Sequence, residues 1–371
     1  MKIGIDTFGC DHGRSGLGLY LLALASHLPQ TEGIEYELFG PEMDRYTYRS
    51  ENSKLSYASV MIPDSTAADR LWHWYRAPRF SVSRGYNATL FAAGARVLPP
   101  SFKVPGVAVV NDVFSAQTET ASSIFFKRYM LKGLKRVTGI IAASQFIKKD
   151  LVSFGIAADK ITVIHNGIDH SLFYPRTGLG DTVDIKPFAI KRPYLIYASR
   201  LQGAGKKHIE LIKAFSVFKK RTGLPHRLVL AGSEGAYSDA VHREAASSPY
   251  ASDIFLTGYF PHESLPELYS CADACVFPSV SEGVGLPVIE AMACGIPVAC
   301  AKAGALPEIA GSHALFFNPD DIEDMAAGMQ AVVTDPALRE KAVAGGIEWT
   351  QRFSWEKTAE RTLDVLTGIG K

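Results

Sequence analysis

The predicted fold is decided by YLIYASRLQGAGKKHIELIKAFSVFKKRTGLPHRLVLAG, residues 194–232. Apolar runs at 194–199 and 227–232 are typical of buried strands, and residues 207–221 between them have a helical pattern. Strands that alternate with helices predict a parallel sheet covered by helices on both faces. We therefore interpret this stretch as part of a Rossmann-like, doubly wound α/β domain.

The same alternation extends outward along the chain. Further strands are predicted at 2–6, 35–40, 107–112, 139–144, 161–166, 253–258, 274–279, 297–301 and 314–317. Further helices are predicted at 17–28, 122–136, 145–153, 236–247, 263–271, 287–294 and 321–334. Both halves of the chain therefore have an α/β pattern, and the second half has it more clearly.

The length of 371 residues suits two domains, each with its own core. Residues 174–192 are rich in Gly, Pro and charge, and we predict that they link the domains. We expect a first domain over 1–180 and a second over 190–350. A terminal helix over 354–371 is expected to cross back to the first domain.

Composition and charge argue against several classes of protein. Lys and Arg number 39 against 38 Asp and Glu, so no overall positive field favours nucleic acid. No apolar run is long enough to span a membrane, and the first residues do not form a secretory signal. The five cysteines lack the spacing of metal or redox sites and are expected to be buried in a reducing compartment. We expect a cytoplasmic protein without a cofactor.

Two acidic residues stand out in SEGVGLPVIEAMACGIPV, residues 281–298. Glu282 follows a predicted strand, and Glu290 lies eight positions later on a predicted helix. Gly283 and Gly285 would let backbone N–H groups at the helix start approach a diphosphate or a sugar oxygen. One carboxylate would then bind the sugar and the other the ribose hydroxyls. The alternative is that both are solvated charges, but the apolar neighbours of Glu290 predict that it is buried and needs a partner.

This run resembles the Glu-x7-Glu motif of glycosyltransferase family 4, including the EAMACGIPV that follows. The resemblance implies retaining transfer and a GT-B fold, in which two Rossmann-like, doubly wound domains face each other across a cleft. It also implies that the domain over 190–350 binds a nucleotide sugar and that the domain over 1–180 is on the acceptor side. The residues implied in donor binding, besides the two carboxylates, are Gly283, Val284, Gly285, Leu286 and, for the base, Gly258, Tyr259 and Phe260.

A basic segment lies upstream, in ASRLQGAGKKHIELIKAF at 198–215. It resembles the family segment in which an Arg at a strand end and a Lys six residues later bind the donor diphosphate, here Arg200 and Lys206. Fixed cations stabilise the negative charge that develops on a leaving nucleoside diphosphate. No Asp-x-Asp triplet occurs, which favours departure without a metal. The alternative, a solvated basic loop, suits Lys207 better than Arg200.

The first half contains a glycine loop, GRSGLGLY, at residues 13–20. Its spacing does not match the dinucleotide-binding pattern G-x-G-x-x-G. It resembles the first glycine loop of the family. That resemblance implies that Gly16 and Gly18 let the acceptor and the donor phosphates approach the backbone.

One departure from the family follows the strand at 107–112. The family commonly has His-Asp there, with the His on the reacting sugar, whereas this chain has Asn111 and Asp112. Asn cannot exchange a proton near neutral pH, but it can donate and accept hydrogen bonds. We expect Asn111 to hold a sugar hydroxyl or a phosphate oxygen, as a catalytic residue beside Arg200, Lys206 and Glu282.

The acceptor is not identified by the sequence, and a glycan or a lipid-linked glycan both fit. Basic aromatic segments at 70–80 and 125–136 suit an anionic bilayer or a lipid diphosphate, so peripheral contact with the inner face of the membrane is one expectation. The alternative for the second segment is an ordinary amphipathic helix packed through Phe125, Tyr129 and Leu134.

The predicted function is a retaining, metal-independent glycosyltransferase of cell-envelope polysaccharide or glycoconjugate synthesis, with a UDP- or GDP-linked sugar as donor. Two alternatives stay open. One is a nucleotide-sugar epimerase or a phosphorylase of the same architecture, and the other is a protein that binds nucleotide sugars with little turnover.

Overall fold

The computed structural model describes residues 1–48, 55–116, 124–185 and 188–370. The chain forms two compact units. Unit 1 comprises Met1–Gly167 and Phe353–Lys371, and unit 2 comprises Ile168–Arg352. The chain therefore passes from unit 1 to unit 2 and returns to unit 1 at its end.

Strands and helices alternate through most of the described residues. The strands are β1 Lys2–Asp6, β2 Glu35–Pro41, β3 Ser56–Val60, β4 Ala88–Phe91, β5 Gly106–Val110, β6 Gly139–Ala142, β7 Ile161–Val163, β8 Thr182–Ile185, β9 Phe188–Lys191, β10 Tyr194–Ala198, β11 Arg227–Ala231, β12 Ile254–Gly258, β13 Ala274–Phe277, β14 Val298–Ala301 and β15 Leu315–Phe317. The helices are α1 Gly16–His27, α2 Asp44–Tyr48, α3 Thr66–Tyr75, α4 Ala77–Ser83, α5 Ile124–Arg136, α6 Gln145–Ser153, α7 His208–Thr222, α8 Ser238–Ser247, α9 Leu265–Cys271, α10 Leu286–Ala293, α11 Leu306–Ala310, α12 Ile322–Thr334, α13 Pro336–Thr350 and α14 Trp355–Ile369.

The described sheet of unit 1 has the strand order β3-β2-β1-β4-β5-β6-β7. All neighbouring strands in it pair in parallel. Strands β5 and β6 are buried along their whole length, as is usual when both faces of a parallel sheet are covered. The chain changes direction across the sheet between β1 and β4, so the carboxyl ends of these two strands lie at a topological switch point.

The described sheet of unit 2 repeats this arrangement with the order β12-β11-β10-β13-β14-β15. Its neighbours are also parallel, and its switch point lies between β10 and β13. The prediction of two Rossmann-like, doubly wound domains is confirmed.

Residues 40–105, where the sequence analysis named no strand or helix, contain β3, β4 and the helices α2, α3 and α4. Strand β4 is a buried run of only four residues, and β3 (SYASV) is only partly buried and carries little apolar periodicity. The first residues of the helix predicted over 122–136 lie outside the described residues. Within α5, Tyr129 and Leu134 are buried, which confirms the amphipathic interpretation for these two positions; the side chain of Phe125 lies outside the description.

The segment at 174–192 is not a linker, and that prediction was wrong. Strands β8 and β9 pair there as an antiparallel hairpin, and the hairpin belongs to unit 2. Val183 and Ile190 face each other across the hairpin and are buried. The alternation that would have indicated these strands is short, and the surrounding Gly, Pro and charged residues obscured it.

Helix α14 completes the core of unit 1. Trp355, Leu363 and Leu366 pack with residues of β1, β4 and β5 in one apolar cluster. The Thr358 hydroxyl donates a hydrogen bond of 2.8 Å to the carbonyl of His165. A Cβ on Gly167 would lie 2.2 Å from the Trp355 nitrogen, so only glycine fits at this crossing.

The five cysteines are all buried and unpaired, as predicted. Burial raises the pKa of the Cys275 and Cys300 thiols above their ordinary range, so both stay protonated at neutral pH. Among the described helices, none combines the length and the apolar character required to cross a bilayer.

Candidate donor-binding site

The candidate site of unit 2 lies at the carboxyl ends of β10 and β13. These strands are hydrogen-bonded neighbours, so the loops that follow them meet at the switch point of the sheet. Ligands of doubly wound sheets bind at such points, because two loops diverge there and leave a crevice. Lys206 is on the β10 loop and Glu282 is on the β13 loop.

Lys206 and Glu282 form an ion pair. The Lys206 Nζ donates to Glu282 Oε2 at 2.8 Å, and the two side chains are 27% and 15% exposed. A backbone hydrogen bond of 2.9 Å from Val280 N to Gly205 O holds the two loops together. A cation and a carboxylate, 76 positions apart in sequence, are thus side by side at the place where a donor is expected.

The backbone around Glu282 is fixed by unit 2 itself. Its carbonyl accepts a hydrogen bond of 2.9 Å from Ala305 N, and Gly304, with φ +59°, passes so close that a Cβ there would be 2.7 Å from the Glu282 oxygen. Gly285 has φ +70° and precedes the first turn of α10, where Pro287 suits an early helical position. Gly285 therefore serves the backbone path of this loop, and the approach of a diphosphate or a sugar oxygen to Gly283 and Gly285 stays a prediction.

Glu290 is on α10 and is 5% exposed. Its burial, predicted from its apolar neighbours, is confirmed. The buried Tyr269 hydroxyl has a pKa well above its usual range. Burial is the main cause, and the charge of Glu290 adds to it.

Arg200 follows β10 by two residues and is exposed. In the described part of the chain it has no salt-bridge partner, so its guanidinium is available to an anion.

Gly258, Tyr259 and Phe260 lie at the end of the edge strand β12, two strands away from β10. Gly258 has φ +71°, Tyr259 is 75% exposed and Phe260 is buried. All these residues lie on one sheet, and among the predicted charged residues Lys206 and Glu282 are in direct side-chain contact.

A tyrosine that the sequence analysis did not single out holds the Lys206 loop. The fully buried Tyr197 hydroxyl donates a hydrogen bond of 2.8 Å to the carbonyl of Lys206. Burial keeps the pKa of Tyr197 far above neutrality, so this donor is always present. His208 packs against its ring at 4.8 Å between centroids, and burial lowers the pKa of His208 to about 4. The layer under Lys206 is therefore uncharged at neutral pH.

The predicted residues of unit 1 have different environments. Asn111 is 7% exposed, and within the described residues neither its amide oxygen nor its nitrogen has a hydrogen-bond partner. A buried, unsatisfied amide costs about 1–3 kcal/mol, which a bound group could relieve.

Gly16 opens α1 and has free space around it, whereas a Cβ on Gly18 would be 2.5 Å from the carbonyl oxygen of Cys10. Gly18 therefore serves close packing within its own loop.

No three His, Cys, Asp or Glu side chains among the described residues are placed to hold a metal ion together.

Comparison with known proteins identifies the family. The model of the group 1 glycosyl transferases matches residues 182–349, and that of glycosyltransferase family 4 matches residues 14–172. The second match includes 40–105, where the sequence analysis named no strand or helix. The chain belongs to these glycosyltransferases, and its two units have the Rossmann-like domains of the GT-B fold.

Two relatives are named transferases. The chain is 30% identical over 245 residues to the O-antigen chain mannosyltransferase B of Escherichia coli, a match that covers 64% of each protein. It is 29% identical to the sulfoquinovosyl transferase SQD2 of Arabidopsis thaliana over 58% of this chain and 41% of that protein. The matches thus span about two thirds or less of these relatives.

Two solved structures share the fold along nearly the whole chain. Sucrose-phosphate synthase from Thermosynechococcus elongatus superimposes with a TM-score of 0.76 at 19% identity, over 100% of this chain and 99% of that one. HepE from Anabaena, in complex with UDP and glucose, gives a TM-score of 0.75 at 18% identity, over 99% and 100%.

Proposed function

We propose that this chain is a retaining glycosyltransferase that moves a sugar from a UDP- or GDP-linked donor to a glycan or lipid-linked acceptor of the cell envelope. The observation that carries the proposal is the Lys206–Glu282 pair at the switch point of unit 2, next to the glycine loop that begins α10. The named mannosyltransferase relative and the UDP complex of a structural neighbour support the choice of reaction and donor class. The free, buried thiols fit a reducing, cytoplasmic setting.

The proposed roles follow from charge and position. As the bond to the sugar breaks, negative charge grows on the departing diphosphate, and Lys206 and Arg200 stabilise it without a metal. Glu282 accepts hydrogen bonds from hydroxyls of the donor sugar, and Glu290 accepts those of the ribose. In a front-face retaining reaction the departing phosphate oxygen takes the proton of the acceptor hydroxyl, so no side chain has to act as a base. Asn111 then needs only to hold an oxygen.

Nucleotide sugars should stabilise the folded chain if the donor site is where we propose. A panel of UDP-, GDP- and ADP-sugars is compared by thermal unfolding, at concentrations far above the dissociation constant. A ligand at a hundred times that constant adds about 2.7 kcal/mol to the stability of the state that binds it. The proposal fails if no nucleotide sugar raises the melting temperature and none is hydrolysed or transferred.

Asn111→Ala should lower turnover and leave donor affinity unchanged, because Asn111 is in unit 1 and the charged residues proposed to bind the donor are in unit 2. Removing a buried amide without partners should also leave the fold intact. The stabilising donor from the panel gives the affinity, and release of the nucleoside diphosphate gives the turnover. Unchanged turnover would remove Asn111 from the site.

Peripheral membrane contact is proposed for one segment only. Of residues 70–80, Trp72 is buried in an apolar cluster, but Trp74, Tyr75 and the arginines 76 and 79 are exposed on α3, α4 and the turn between them. Exposed aromatic and basic side chains suit an anionic bilayer surface. Sedimentation with anionic liposomes should fall when both arginines are replaced by glutamine. Equal sedimentation of wild type and variant would rule this segment out.

A further inference from the structure

Unit 1 contains a polar cavity of about 360 Å³ that is separate from the residues discussed so far. It lies where β1, β2 and β3 end, and the first turn of α3 closes one side of it. Its walls carry charges of both signs, contributed by His12, Asp44, Asp64, Asp69, Arg70 and Arg96. Segments from four places in the sequence, at 7–12, 41–44, 64–70 and 96–97, thus converge on one cavity.

His12 is held in the cavity wall by a buried aspartate. Its Nδ1 is 2.6 Å from Asp44 Oδ1, and the other Asp44 oxygen accepts a hydrogen bond of 2.7 Å from the Thr7 hydroxyl. Asp44 is 1% exposed, so both of its oxygens are committed to these partners. Burial opposes protonation of His12, but the hydrogen bond and charge of Asp44 prevail and raise its pKa. Asp44 therefore fixes the orientation of the imidazole.

The outer nitrogen of His12 faces Asp64. Its Nε2 is 3.7 Å from Asp64 Oδ1, a separation that suits an ion pair but is long for a hydrogen bond. Asp64 is 74% exposed. The Nε of Arg70, in the same wall, is buried and has no hydrogen-bond partner within the described residues. The Arg70 guanidinium lies over the Phe126 ring at 4.0 Å from its centroid. Donors and acceptors thus line one space.

The charge of the walls disfavours a phosphate. Asp11, Asp44, Asp64 and Asp69 face two arginines and His12, and Asp11 already pairs with Arg96 at 2.8 Å. An incoming dianion would meet an excess of carboxylates. Sugar hydroxyls both donate to carboxylates and accept from His and Arg, so a neutral polyol suits this mixture.

An apolar cavity of about 600 Å³ adjoins the polar one and shares Pro41, Asp64 and Asp69 with it. Its wall includes Tyr46, which is 83% exposed, and Met61, which is 91% exposed. The C–H faces of sugar rings pack on such side chains, while their hydroxyl edges need polar partners. Together the two cavities have room for more than one sugar ring.

We propose that these adjoining cavities bind the uncharged sugar end of the acceptor, with hydroxyls bonded to His12 and Asp64 and with Asp44 as the positioning residue of His12. This inference rests on the proposed function and selects a neutral glycan over a phosphate group as the part of the acceptor that unit 1 recognises.

The test is a calorimetric titration of the full chain with three probes: a neutral mannose trisaccharide, a neutral glucose trisaccharide and geranyl diphosphate. We expect one of the trisaccharides to bind and Asp64→Asn to weaken that binding by three- to tenfold. Asp64 is too exposed for this change to disturb folding. Asp159→Asn, at an exposed position elsewhere in unit 1, is the matched control and should bind like the wild type.

The role of Asp44 has its own readout. Asp44→Asn should lower the pKa of His12, which is measured by NMR of the imidazole ring. It should also weaken the binding of the trisaccharide. A His12 pKa that does not move would overturn the positioning role.

The inference about the cavities is overturned if neither trisaccharide binds, if Asp64→Asn binds as tightly as the wild type, or if geranyl diphosphate binds and Asp64→Asn strengthens it. Nucleotide sugars that stabilise the chain in those cases would leave the proposed function standing. If a trisaccharide binds but no nucleotide sugar stabilises the chain and none is hydrolysed or transferred, the proposed reaction is overturned instead.

Discussion

Replacing Lys206 by alanine should lower kcat by about two to three orders of magnitude, the loss typical when one preorganised group that stabilises developing charge is removed. Lys206 is the cation that the structure places against Glu282 at the switch point. Charge on the diphosphate is largest when the glycosidic bond is broken, so the loss should appear in kcat more than in KM. Lys206→Arg keeps the charge and should recover part of the activity.

Lys207→Ala is the matched control for this experiment. The neighbouring lysine is tied to Glu210 at 3.1 Å and to Asp320 at 2.8 Å, so it is not free to bind a donor. Release of the nucleoside diphosphate is measured under single-turnover conditions, with the nucleotide sugar that stabilises the chain most. Lys206→Ala with turnover within twofold of wild type, or Lys207→Ala with the larger loss, would contradict the assignment.

Glu37→Gln should destabilise unit 1 by roughly 3 kcal/mol at neutral pH. Glu37 is 3% exposed on β2 and accepts hydrogen bonds from Arg84 at 2.8 Å and from the Tyr86 hydroxyl at 2.7 Å, with Lys2 at 3.3 Å. Burial alone would raise its pKa, but these partners lower it to about 2. In the unfolded chain the carboxyl titrates near its ordinary value of 4.5. Because one pH unit corresponds to about 1.4 kcal/mol, the ionised form favours folding by roughly 3 kcal/mol.

The pH dependence distinguishes this effect from a packing defect. The contribution of ionised Glu37 to stability is fully present above pH 4.5. It is lost as the pH falls toward 2, because the Glu37 carboxylate, whose pKa is depressed in the folded state, then takes up a proton. Urea unfolding of wild type and Glu37→Gln is followed by tryptophan fluorescence, because three of the four tryptophans, Trp72, Trp74 and Trp355, are in unit 1. Trp349, in unit 2, is replaced by phenylalanine in both proteins so that the signal reports on unit 1. The difference in the free energy of unfolding between wild type and Glu37→Gln should shrink by more than half between pH 7 and pH 3. Glu35→Gln, exposed on the same strand, should match wild type; a constant gap would refute the argument.

The fold was predictable where strands are buried on both faces. Strands β10, β11 and β13 are continuous apolar runs, so composition alone located them within one or two residues. Strand β3 is half polar, and the four residues of β4 include the polar Thr89, so neither is a continuous apolar run. The burial of β4 is visible only in the folded chain.

The site was predictable where its residues share a local motif. The spacing of Glu282 and Glu290 and the burial of Glu290 follow from one continuous segment. The hydrogen bond from Tyr197 to Lys206 was not predictable, since a tyrosine in a buried strand resembles any other aromatic core residue. The contact between His12 and Asp44 joins two segments 32 positions apart, and no spacing rule connects them.

Because the chain returns to unit 1, the cores of the two units are completed in a fixed order during synthesis. Unit 2 is one continuous segment, so all of its residues exist once position 352 has been translated. Unit 1 lacks Trp355, Leu363 and Leu366 of its apolar cluster until these positions have also been translated. The half that is made first is therefore the half whose core is completed last, because the contacts of β4 and β5 with α14 form only after α14 has been made.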